Sequence, residues 1–171
     1  MTTRTAFSLT IVLPLLVASC GGEAAEQQTQ SAVQAVASDF DPCALLTSEE
    51  IKTALAWSPD SSQKKAYGTT GNCTWFGPST QQVSLLVGQG MPDMSDSRRM
   101  SDWRAKQYAD SKVADAIVEP VEGLGVPAIR NEFGIVAIEM AIKDQLVSVS
   151  SISANLEQTR QLAGFVVARM K

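Results

Sequence analysis

G-I-V-A-I-E-M-A-I-K-D-Q-L-V-S-V-S-S-I, residues 134–152, decides the fold class. Two apolar, β-branched runs flank Lys143-Asp144, which suits a hairpin turn. Gly134 to Ile142 reads as a buried strand. In Gln145 to Ile152, Leu146, Val147 and Val149 stand among serines, which predicts one buried and one half-wet face.

Upstream, V-E-G-L-G-V-P-A-I-R-N-E (121–132) predicts a glycine-rich turn and a strand over 126–131, with a further short strand at 116–119. Asn131 to Gly134 then supplies another hairpin turn. Downstream, Leu156, Leu162, Ala163, Val166, Val167 and Met170 form the apolar stripe of a helix over 155–170. Ser95 or Ser97 caps an earlier helix that runs to about Asp110, with Met100, Trp103 and Tyr108 or Ala109 turned inward. Before it, N-C-T-W-F-G (72–77) and Q-V-S-L-L-V-G (82–88) read as a strand pair around Gly77-Pro78. Residues 58–71 are polar and read as a loop. Residues 89–95 read as another.

The first helix has the clearest signature. Thr47 and Glu50 form a capping box, and Leu46 and Ile51 a hydrophobic staple. The order is thus helix, two strands, helix, three or four strands, helix. Runs of hairpin strands imply an antiparallel sheet with helices packed on it: an α+β domain of about five to six strands and two to three helices. It occupies residues 39–171.

The preceding residues are of another kind. M-T-T-R-T-A-F-S-L-T-I-V-L-P-L-L-V-A-S (1–19) has one Arg and then a short apolar run, too short to span a bilayer permanently and right for a signal peptide. It ends in Val17-Ala18-Ser19-Cys20, which resembles the lipobox of bacterial lipoproteins. That resemblance implies cleavage before Cys20 and lipidation of its thiol; a signal peptide with a chance cysteine is the alternative. Several acyl chains on one residue anchor a protein stably, at ~0.8 kcal/mol per buried CH₂. Gly21 follows, without the Asp that resembles an inner-membrane retention signal. The expected address is therefore the outer membrane facing the periplasm in a Gram-negative cell, and otherwise the outer face of the plasma membrane. Residues 20–38 are rich in Ala, Gln, Ser and Glu and read as a spacer.

Charge and composition exclude several functions. The net charge is -4, and the leader takes away only Arg4. An acidic domain gains nothing from counterion release, so nucleic acid is not an expected partner. The chain contains no histidine, the commonest general base near neutral pH and the commonest metal ligand. No cofactor motif, metal site or catalytic set is expected. Glu49-Glu50 and Glu119/Glu122 read as solvated carboxylates. Glu139 belongs on a wet face by alternation, or in a cleft with a raised pKa. Once Cys20 is set aside, Cys43 and Cys73 remain. In an oxidising compartment they read as a structural disulfide; buried free thiols are the other reading.

Two candidate sites remain. Arg98, Arg99, Arg104 and Lys106 cluster around Trp103 as a candidate partner surface, or as the solvated face of a helix. Trp57, Trp75 and Trp103 could line a small pocket, although Trp75, beside a cysteine on a strand, reads better as a core residue.

D-P-C-A-L-L-T-S-E-E-I (41–51), Cys73-Thr74-Trp75 and Gly123-Leu124-Gly125 together resemble a family of small bacterial envelope lipoproteins of unknown function. The resemblance covers about residues 41–170. It implies a PsbP-like sandwich with an antiparallel sheet between helices, supports the Cys43–Cys73 bridge and carries over no catalytic residue. The expected function is a tethered, non-enzymatic module that binds an envelope protein or wall component. The alternatives are a carrier of an apolar small molecule or lipid and, third, a carboxylate-based wall hydrolase.

Overall fold

The computed structural model describes residues 41–67, 70–90 and 94–171. The stretches expected to be a signal peptide (1–19), a lipidated Cys20 and a spacer (20–38) lie outside the described residues. Seven strands form one sheet: β1 (Ser61–Tyr67), β2 (Thr70–Phe76), β3 (Gln82–Gln89), β4 (Ile117–Pro120), β5 (Ala128–Glu132), β6 (Val136–Ile142) and β7 (Gln145–Ser151). The helices are α1 (Ser48–Leu55), α2 (Ser97–Asp110) and α3 (Leu156–Met170), with a 3₁₀ turn at Pro42–Leu45.

The strand order is β1-β2-β3-β7-β6-β5-β4, antiparallel throughout. Two meanders, β1–β3 and β4–β7, meet where β3 pairs with β7. The connection from β3 must return to the far edge, and α2 lies on that path. The α+β class expected from the hairpins is therefore correct, but the strand count is seven rather than five to six. The added strand is β1, in the stretch expected to be a loop. The side chains of residues 61–66 are all exposed, so no apolar alternation marks them. It is held by its ladder to β2, and Lys64 and Lys65 suit an edge that must not recruit another strand. At the other edge β4 is short and ends in Pro120, which has no N–H to offer.

Alternation gives the sheet two faces. On the first, Val83, Leu85 and Val87 of β3, Val147 and Val149 of β7, and Ile138 and Met140 of β6 pack against Leu162, Ala163, Val166 and Val167 of α3. Ile51, Ala54 and Leu55 of α1 close the same core. The capping box is formed, with Thr47 N–H donating to Glu50 Oε2 at 2.9 Å. Burial alone would raise the Glu50 carboxyl, but hydrogen bonds from Arg169 and from the Thr47 backbone and hydroxyl together outweigh it and hold it below the ordinary carboxylate value. Cys43 and Cys73 form a disulfide with Cα atoms 5.1 Å apart. It ties the 3₁₀ turn to β2. A closed loop with a sequence separation of 30 is worth roughly 3.5 kcal/mol in the chain-entropy account.

The second face carries a smaller cluster around Met100 of α2 and Ile129 of β5, with Trp103, Val118, Ala141 and Leu146 against it. The helices thus lie on opposite faces of the sheet, with α1 and α3 on one side and α2 on the other.

Candidate functional site

The site lies where α2 stops covering the second face. Register places two rows of side chains across this face. One runs Thr74, Ser84, Ser150, Ala137, Asn131; the other runs Asn72, Leu86, Ser148, Glu139, Ile129. On this face, among the described residues, α2 packs over β4 and β5. Asn72, Thr74, Ser84, Ser148 and Ser150 are therefore only half-buried. Their hydroxyls and amides form a shallow network: Thr74 Oγ1 donates to Asn72 Oδ1 at 3.0 Å, and Gln82 Nε2 donates to Ser84 Oγ at 3.0 Å.

Under the edge of α2 this surface deepens. Glu139 is 6% exposed, against the expectation of a wet face. Alternation does turn it away from the core, but α2 covers it there, and Arg104 neutralises it. Arg104 Nε donates to Glu139 Oε2 at 2.7 Å, and its guanidinium stacks over Trp103 at 4.7 Å from the ring centroid. Asn131, 8% exposed, donates both amide hydrogens: one to Glu139 Oε1 at 2.8 Å, the other to the Tyr108 hydroxyl at 2.5 Å. Its Oδ1 is buried with no partner. The side-chain orientation follows from Glu139, since an amide oxygen facing a carboxylate would repel it. Beside this cluster lies a cavity of about 220 Å³ lined by Tyr108, Asn131, Phe133, Ile135, Ala137, Glu139, Ser148 and Ser150. The small Ala137 side chain leaves room for it.

The apolar mouth of the cavity belongs to a wider rim. Among the described residues, Phe76, Ile117, Phe133, Ile135 and Ile152 are the exposed large hydrophobics, with Phe133 65% exposed. The ladders bring all five to one end of the sheet, because Ser61, Phe76, Gln82, Ser151, Val136, Glu132 and Ile117 end or begin their strands there. Asp41, where the described chain begins, pairs with Lys64 towards the opposite end, near the Pro42–Gly71 contact.

A second, open cavity of about 640 Å³ lies at the start of α2, between Ser95–Arg98 and the 122–127 turn. Asp96, rather than Ser95 or Ser97, caps this helix: the Arg99 backbone N–H donates to its carboxylate at 2.8 Å and holds its pKa below the usual range. Ser97 Oγ accepts instead from Ala128 N–H, tying α2 to β5.

The basic cluster expected on α2 is divided. Arg98 and Arg99 are exposed at its first turn. Arg104 turns inward to Glu139, and Trp103 packs toward the sheet. Lys106 faces outward and pairs with Asp110. The three tryptophans do not share a pocket. Trp57, which lies against Gly77, and Trp75 are both in the main core, and Trp103 is across the sheet. The sequence reading did not single out Tyr108, Asn131, Phe133, Ser148 or Ser150. The serines in V-S-V-S were one local signal, because alternation predicted a half-wet face there. The aromatic at the N-E-F-G turn was a second signal, since hairpin turns seldom need one.

No helix among the described residues is long and apolar enough to cross a membrane. No protein-family model matches the chain, and no curated protein matches it.

Proposed function

We propose that the chain is an exported lipoprotein of the small envelope family it resembles. In this reading Cys20 anchors it, and its domain is a non-enzymatic module that binds an envelope component. The anchor reading rests on Val17-Ala18-Ser19-Cys20 and the leader before it. The observation that carries the binding reading is the second sheet face. A row of hydroxyl and amide side chains runs beneath an exposed apolar rim at one end of that face. Contiguous exposed apolar groups edged by polar ones mark interaction surfaces on soluble domains. The carrier alternative has less support. The space between the sheet and α3 is filled by Leu85, Ile138, Met140, Leu162 and Val166, all fully buried.

Two measurements test this. Mass spectrometry of the N-terminal fragment should find acylated Cys20, with Cys20→Ala unprocessed; an unacylated, shorter N-terminus removes the anchor. A photo-crosslinking residue at Ser84, on the polar face, should yield a discrete adduct in intact cells, while the same residue at Ala168, exposed on α3, should not. Equal or absent adducts from both positions would refute the binding face.

A further inference from the structure

We propose that the cavity beside α2 binds a single uncharged sugar ring, with Tyr108, Ser148 and Ser150 reading its hydroxyls and Phe133 taking its C–H face. This deepens the binding reading above and rests on it. The first reason is charge. Glu139 is already matched by Arg104, so the cavity presents no free charge to an ionic ligand. The second is hydrogen-bond supply and demand. Both amide hydrogens of Asn131 are committed and its Oδ1 is enclosed, so Asn131 orients Tyr108 and Glu139 rather than meeting a ligand itself. The Tyr108 oxygen accepts from Asn131, so its own proton is available to a ligand acceptor. Ser148 and Ser150 offer hydroxyls that both donate and accept. A ligand meeting all of these needs donors and acceptors side by side, as neighbouring ring hydroxyls provide.

The third reason is shape. The cavity, at about 220 Å³, is smaller than the ~300 Å³ at which drug-sized pockets begin; it suits one ring and excludes a lipid tail. Phe133 at its mouth is exposed without a partner among the described residues. An aromatic face there gives the apolar side of a sugar a surface to rest on. The row Thr74–Ser84–Ser150 leads away from the cavity, so a terminal ring has a path for the chain behind it.

The test is ligand-observed saturation-transfer NMR on the full-length protein in detergent, with glucose, mannose and N-acetylglucosamine as probes. The expected result is transfer from at least one sugar, lost or weakened tenfold or more in Phe133→Ala and in Ser150→Ala, both with unchanged melting. No transfer from any probe, or transfer indifferent to both variants, overturns the proposal. A purified wall glycan is the second arm. Sedimentation of the protein with it, lost in Phe133→Ala, points to a polymer-borne ring. Binding of the free sugars alone points to a soluble one. The Ser84 adduct is read independently: its presence with no sugar binding would refute this site and leave the binding face standing.

Discussion

Glu139 shows how one residue's role depends on a partner 35 positions away. Within V-A-I-E-M-A-I it is the only charge, and strand alternation alone turns it out of the core. Its burial comes from α2, through Arg104. A buried pair of this kind adds little net stability, but removing one partner strands the other. Glu139→Ala should therefore cost about 3–5 kcal/mol by urea denaturation, and Arg104→Ala a similar amount. The double variant should cost much less than their sum. Glu50 offers a different residue-scale prediction. Its folded pKa is lowered, so its contribution is present above the unfolded value and lost as pH falls through the folded one. At pH 7 Glu50→Gln should destabilise by about 1 kcal/mol, the scale of a lost capping interaction. The difference from wild type should shrink as the pH falls below the ordinary carboxyl value of 4.5 and through the lowered folded one. A gap unchanged at pH 3 would show that the carboxylate charge is irrelevant to the cap.

At the scale of elements, what was legible in the sequence depended on whether an element carries its own instructions. Helix α1 does: its capping box and the expected staple pair lie within six residues, the box forms as expected, and Leu46 and Ile51 both enter the main core. So did the β6–β7 hairpin. Lys143 and Asp144 adopt φ 48° and 62°, the left-handed pair that a two-residue hairpin loop of the primed type uses. Strand β1 carries none, since S-S-Q-K-K-A-Y buries no described side chain and owes its form to β2. The Cys43–Cys73 bridge was legible from chemistry alone. Replacing both cysteines by Ala should lower stability by about 2–4 kcal/mol, read as a lower denaturant midpoint. Reductant should do the same to the wild type and nothing further to the variant. Gly77 is a tighter local constraint than its turn position suggests: a Cβ there would lie 2.4 Å from the Trp57 ring. Gly77→Ala should cost about 1–3 kcal/mol, and Trp57 fluorescence should report the displaced ring.

For the molecule as a whole, the candidate site needed long-range information that no local pattern carries. Phe76, Phe133, Ile135 and Ile152 are spread over 77 positions of sequence, yet the antiparallel register puts them at one end of one face. Singly, each would be an ordinary exposed hydrophobe. Their grouping beside a row of hydroxyls makes them a surface. The described chain begins near the opposite end of the strands. If Cys20 holds the protein to a bilayer, a tether joined there allows the rim to face away from the lipid. The combined change Phe76→Ser, Phe133→Ser and Ile152→Ser should then separate folding from binding. Exposed substitutions away from special features each move stability by about 0.5 kcal/mol or less. The triple variant should therefore melt within a few degrees of wild type and retain its acylated Cys20, yet lose the Ser84 adduct in cells. A variant that unfolds would instead make the rim part of the core, and one that keeps the adduct would move the contact to the polar rows of β2 and β3.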